Sequence, residues 1–206
     1  MTPRTHPTTP LAGALLAIVV LIGGCTVSTS SRRDENRTDL YRAVLAEDRL
    51  SLDLSDGLTR AEAGVAPGDA TVSFTHDGGQ PLIDTTLVLS PEVTLQREVS
   101  LVAISGDSVT DREAAPTSVE LVRSFDGVEA GRAELQRAAT DLGIPSEEVD
   151  EWAEGATEAV GSDDAVSFQP RVFRGPAVGT VGVEVEAALF VDKDEVGVRY
   201  ILTLGR

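Results

Sequence analysis

The sequence predicts an α+β fold: an antiparallel sheet with a helical hairpin packed on one face, preceded by a short N-terminal helix. Three observations carry this. Apolar and polar residues alternate with period two through much of residues 70–125, and again over the last 40 residues. Between those blocks lie two stretches with helical periodicity. Strands, then two helices, then strands set the helices side by side against one sheet.

The elements follow in order. Leu40, Val44 and Leu45 recur at helical spacing from Asp39 to about Glu47, a short helix, while "LSLDLS" alternates and sets a competing strand start near Leu50. "ATVSFTH" alternates Val72 and Phe74 with polar neighbours, and Asp77-Gly78-Gly79 after it is a hairpin signal. "LIDTTLVLS" and "VTLQREVSLVAIS" read as two further strands. Gly106 to Thr117 is a polar loop, and "SVELVRSF" returns to strand.

Asp126 precedes Glu129 by three residues, the spacing of a capping box at a helix start. Leu135, Ala138, Ala139 and Leu142 make one apolar face, and Gly143 with Pro145 ends the helix. A second helix opens at Ser146 with acids in its first turn, where the helix dipole favours them. Its stripe is Val149, Trp152, Ala153, Ala156 and Val160. The final hairpin is expected to pair Val191 with Val196 across "DKDE", so that Leu189 faces Val198, Ala187 faces Tyr200, Val185 faces Leu202 and Val183 faces Leu204. A slip of one residue would turn Arg199 into the core.

Upstream of this domain, Arg4 is followed by an uncharged apolar run from Leu11 to Gly24 and then by Cys25, the one cysteine of the chain. A charged start, a short apolar core and small residues before a cut are the layout of a secretory signal. The run is short for a span, which needs about 20 apolar residues. Ile22, Gly23, Gly24 and Cys25 resemble the lipobox of bacterial lipoproteins. The resemblance implies cleavage between Gly24 and Cys25, a diacylglyceryl group on the Cys25 thiol, and a location on the outer face of a cell membrane. It divides the chain into a signal peptide over 1–24, a lipidated cysteine and flexible tether over 25–38, and one α+β domain over 39–206.

Cleavage there leaves 16 basic residues against 34 acidic ones. Such a balance excludes nucleic acid, whose binding depends on cations neutralising phosphates. One lysine, Lys193, among many arginines, with abundant Ala, Gly, Val and Asp, matches a GC-rich, actinobacterial codon bias. With no second cysteine, the domain relies on burial rather than on disulfides.

Chemistry is scarce. His76, the one histidine after the leader, sits beside the Asp77-Gly78-Gly79 turn and reads as a polar turn residue. There is no G-x-S-x-G, and Lys193 has Phe190 three places before it, so S-x-x-K is absent as well. Gly175, Gly179 and Gly182 lead into a strand, unlike a phosphate loop. Asp192 to Gly197 begins like a calcium loop but has Val196 at the fifth position and Thr203 where the bidentate Glu belongs.

No catalytic residue, metal or cofactor is therefore expected. Glu147, Glu148, Asp150, Glu151, Glu154 and Glu158 lie mainly opposite the Trp152 stripe. They read as a solvated face, and Glu147, Glu148, Glu151, Glu154 and Glu158 as the candidate partner surface. The expectation is a non-enzymatic envelope lipoprotein that binds a protein or lipid ligand. Alternatives are a lipid or glycolipid carrier, with Ala138, Ala139, Ala153 and Ala156 leaving space under the helices, or a hydrolase.

Overall fold

The computed structural model describes residues 38–106, 114–160, 168–190 and 193–205. The class is α+β. Helix α1 (Asp39–Glu47) leads directly into strand β1 (Arg49–Asp53), so the helix and the strand that competed for this stretch both form. Asp48 makes the corner between them in a left-handed conformation, φ 53°, which Asp tolerates better than most residues. Val44 is the buried residue of α1, with Leu40 and Leu45 packed beside it.

Seven further strands and two helices follow in the order β2 (Thr71–Phe74), β3 (Ile83–Ser90), β4 (Val93–Val99), β5 (Leu101–Ser105), β6 (Ser118–Asp126), α2 (Gly127–Leu142), α3 (Ser146–Val160), β7 (Arg171–Arg174) and β8 (Val181–Phe190), with β9 (Glu195–Leu204) closing the chain. They form two sheets rather than one. The smaller has the order β1-β3-β4 and the larger β2-β5-β6-β9-β8-β7. All pairs in the larger sheet are antiparallel, whereas β1 lies parallel to β3.

Two sequence expectations change with this division. "VTLQREVSLVAIS" is two strands, β4 in the small sheet and β5 in the large one, parted at Ser100. The buried positions run Leu95, Arg97 and Val99, then resume at Val102 and Ile104, so the alternation slips phase at the crossing. The Asp77–Gly79 stretch is a 3₁₀ turn rather than a hairpin loop. It joins strands of different sheets, since β2 pairs with β5 and β3 with β4.

The helical hairpin forms where the sequence places it. Gly143 ends α2 in a left-handed conformation, φ 68°, and its N–H returns to Ala139 O. Leu135, Ala138 and Leu142 of α2 and Val149, Trp152, Ala153 and Ala156 of α3 are buried. Val160 stands exposed at the end of α3, one turn past the point where the stripe meets the core. The capping box does not form, because the Asp126 side chain makes no cap hydrogen bond. Gly127 N–H is taken instead by Asp194 O at 2.7 Å, which ties the start of α2 to the β8–β9 turn.

The hairpin packs on the inner face of the large sheet, α2 over β9, β6 and β8 and α3 over β7. Its approach at Gly131 is close: an added Cβ would lie 2.5 Å from Val196 Cγ1. Small residues here let helix backbone rest on strand side chains.

The β8–β9 register differs from the expected one by two residues. Leu189 opposes Val196, Ala187 opposes Val198, Val185 opposes Tyr200 and Val183 opposes Leu202. A two-residue slip keeps every side chain on its own face, so apolar matching does not distinguish the two registers. The turn does. In this register the left-handed turn position is Asp194, φ 51°, where the other would require Glu195. The Phe190 ring also packs over Gly197, with its Cε2 2.8 Å from where a Cβ would stand. Among the described residues no helix is long and apolar enough to cross a membrane.

Candidate functional site

The strand pattern of β4 points Leu95, Arg97 and Val99 inward, so a guanidinium enters a face otherwise filled by leucine and valine. Arg97 is 4% exposed, Tyr200 of β9 3% and Glu134 of α2 8%. A charge so placed needs partners on all sides. Arg97 Nε donates to Tyr200 Oη at 2.9 Å and lies 2.6 Å from Glu134 Oε1. The Tyr200 hydroxyl in turn donates to Glu134 Oε1. Arg97 Nη2 donates to Asp141 Oδ2 at 2.8 Å, and Nη1 to Gln96 O at 2.7 Å. Arg137 Nη1 stands 3.8 Å from Glu134 Oε2.

The electrostatics follow from this enclosure. Burial alone would lower the Arg97 pKa, but Tyr200, Glu134 and Asp141 outweigh it, and the guanidinium is held above its ordinary value. Burial first and Glu134 next push the Tyr200 phenol up, against the opposing pull of Arg97. The cluster is thus a guanidinium cation and a neutral phenol, both closed over the buried Glu134 carboxyl. Its donors and acceptors are turned on one another, which suits a clamp between elements rather than proton transfer to a bound molecule.

The same residues close the seam between the sheets. Gln96 O also accepts from Arg137 Nη2 at 3.4 Å, and Glu98 O accepts from Arg123 Nη1 of β6 at 3.2 Å. Arginine side chains from β4, α2 and β6 therefore occupy carbonyls along β4, the outer strand of the small sheet. An edge covered in this way is a poor template for another strand.

The residues singled out from sequence lie elsewhere. Gly24 and Cys25 are outside the described residues. On α3, Glu148 and Glu151 both receive Arg171 of β7, at 3.1 and 2.8 Å, so this part of the candidate partner surface is engaged within the domain. Asp150 accepts Arg132 Nη2 at 2.7 Å and Gln136 Nε2 at 2.8 Å. The Arg132 hydrogen bond, helped by that of Gln136, holds its carboxyl below the usual range against the opposing effect of desolvation. Glu147, Glu154 and Glu158 are exposed.

His76 is not a free turn residue. Its Nε2 lies 2.8 Å from Asp48 Oδ1, off the line a hydrogen bond requires, which sets the β2–β3 connection against the α1–β1 corner. Trp152 is buried as its stripe predicts, tilted against Phe168 at 5.8 Å, and its indole N–H has no partner among the described residues. Among the described residues no three His, Cys, Asp or Glu side chains are grouped to hold a metal ion.

Sequence reasoning missed the Arg97 cluster, although one sign of it was visible. Arg97 stands on the inward parity of β4, between Leu95 and Val99. Its partners come from 37 to 103 residues further along the chain, from elements that only the folded topology brings together. The chain matches no family model, and no curated protein or solved structure is significantly similar to it.

Proposed function

We propose that the chain is a lipid-anchored lipoprotein of a bacterial cell envelope whose α+β domain is a non-enzymatic binding module. One observation carries the reading: the uncharged run Leu11–Gly24 ends in Ile22-Gly23-Gly24 directly before the chain's one cysteine, Cys25. A diacylglyceryl group there would supply two acyl chains, and two hold a protein on a membrane where one binds marginally.

Binding rather than catalysis is favoured by how the reactive side chains are used. His76 leans on Asp48, and the Arg97–Glu134–Tyr200 cluster is internally satisfied. For a basic protein partner, the part of α3 left open is Glu147, Glu154 and Glu158. Detergent phase separation tests the anchor. Full-length protein made in a bacterium that processes lipoproteins should enter the detergent phase, and Cys25→Ala should stay in the aqueous one. Equal partitioning of the two would refute it. A hydrolytic activity abolished by His76→Ala would overturn the non-enzymatic part, and a discrete lipid mass on native residues 26–206 would replace it with the carrier.

A further inference from the structure

The chain enters the described domain at Thr38, and the entry point is fixed. Thr38 Oγ1 donates to Gly64 O at 3.1 Å and accepts Tyr41 N–H at 3.3 Å. The Tyr41 ring stacks on Phe74 of β2 with centroids 5.5 Å apart. Helix α1 is thus held at β2, one edge of the large sheet. Helix α3 is held at the opposite edge, where Arg171 of β7 reaches Glu148 and Glu151. Five strand spacings, about 24 Å, separate the two edges.

The next step rests on the reading that Cys25 is lipidated. Thirteen residues lead from Cys25 to Thr38. A chain of that length reaches at most ~45 Å, and a polar coil of that length averages about 20 Å end to end. We infer that the α1–β2 edge is the surface of the domain that faces the lipid headgroups, and that the α3–β7 edge is its membrane-distal end. The reverse orientation would require the tether to climb the further ~24 Å across the sheet, beyond its average span.

The test uses full-length lipidated protein in phosphatidylcholine–phosphatidylglycerol vesicles that carry a nitroxide on their headgroups. Ser73→Cys on β2 and Glu154→Cys on α3, both exposed positions, each receive an environment-sensitive thiol dye. The Cys25 thiol, consumed in a thioether, does not react with it. Vesicle flotation is scored first, and the protein should float. The dye at position 73 should then be quenched at least about twofold more than the dye at 154. Flotation with equal quenching, or more quenching at 154, overturns the orientation alone. Failure to float overturns the anchor, and the orientation with it.

Discussion

Replacing Arg97 with methionine would leave Glu134 buried without its main counter-charge. Removing one partner of a buried ion pair costs about 3–5 kcal/mol. Here the low end applies, because Tyr200 still donates to Glu134 and the half-exposed Arg137, 3.8 Å away, can move closer. For a domain of this size, with Tm moving ~2–4 °C per kcal/mol, about 3 kcal/mol lowers Tm by roughly 6–12 °C. Glu134→Leu alone should cost a similar amount, since it strands Arg97 with the partly exposed Asp141.

The double variant Arg97→Met/Glu134→Leu should be less destabilised than the sum of the singles. It buries no charge, returns the partly exposed Asp141 to solvent, and leaves the buried Tyr200 hydroxyl unpaired at about 1–3 kcal/mol. Adding Tyr200→Phe should recover most of that remainder. Urea unfolding of residues 26–206 reads all four variants. A cost below about 1 kcal/mol for Arg97→Met, or strict additivity in the double variant, would refute the cluster as a buried clamp.

Three further outcomes are expected. Gly131→Ala should destabilise by about 1–3 kcal/mol despite the better helix propensity of alanine, because its Cβ meets Val196 at 2.5 Å; Val196→Ala in the same chain should relieve part of the loss in a thermal melt. The Asp150 carboxyl, lowered first by Arg132, supplies stability that is present above its unfolded pKa and is lost as pH falls through the lower folded value. Carboxyl NMR titration should find it low in the wild type and raised toward the ordinary range in Arg132→Ala, where the Gln136 hydrogen bond remains. Tyr200, raised by burial, supplies stability that is present below the unfolded tyrosine pKa of about 10 and is lost as pH climbs toward the folded value. Phenolate absorbance from Tyr200 should therefore appear together with unfolding rather than before it.

Local physics made much of the fold legible. The α2–α3 hairpin was readable because Gly143, Pro145 and two apolar stripes all point the same way. The face assignment of β8 and β9 was readable because parity is a two-valued choice. Their register was not, because it depends on which turn residue accepts a positive φ and on Asp194 O meeting Gly127 N–H from another element. The division into two sheets was written in the phase slip around Ser100, but pairing partners are non-local and no periodicity names them.

The candidate surface on α3 illustrates the same limit. The acidic face was legible, whereas the loss of Glu148 and Glu151 to Arg171 depends on β7 returning beneath the helix. The Arg97 cluster needed all of β4, α2 and β9 in place before its chemistry existed.

Lipidation of Cys25 can be read from the intact mass of the full-length protein recovered from bacterial membranes. The expected species begins at Cys25 and carries the added mass of a diacylglyceryl group, with further acylation of the new amino terminus where the host performs it. A recovered chain that keeps residues 1–24, or one that begins elsewhere with an unmodified thiol, would rule out the lipid anchor.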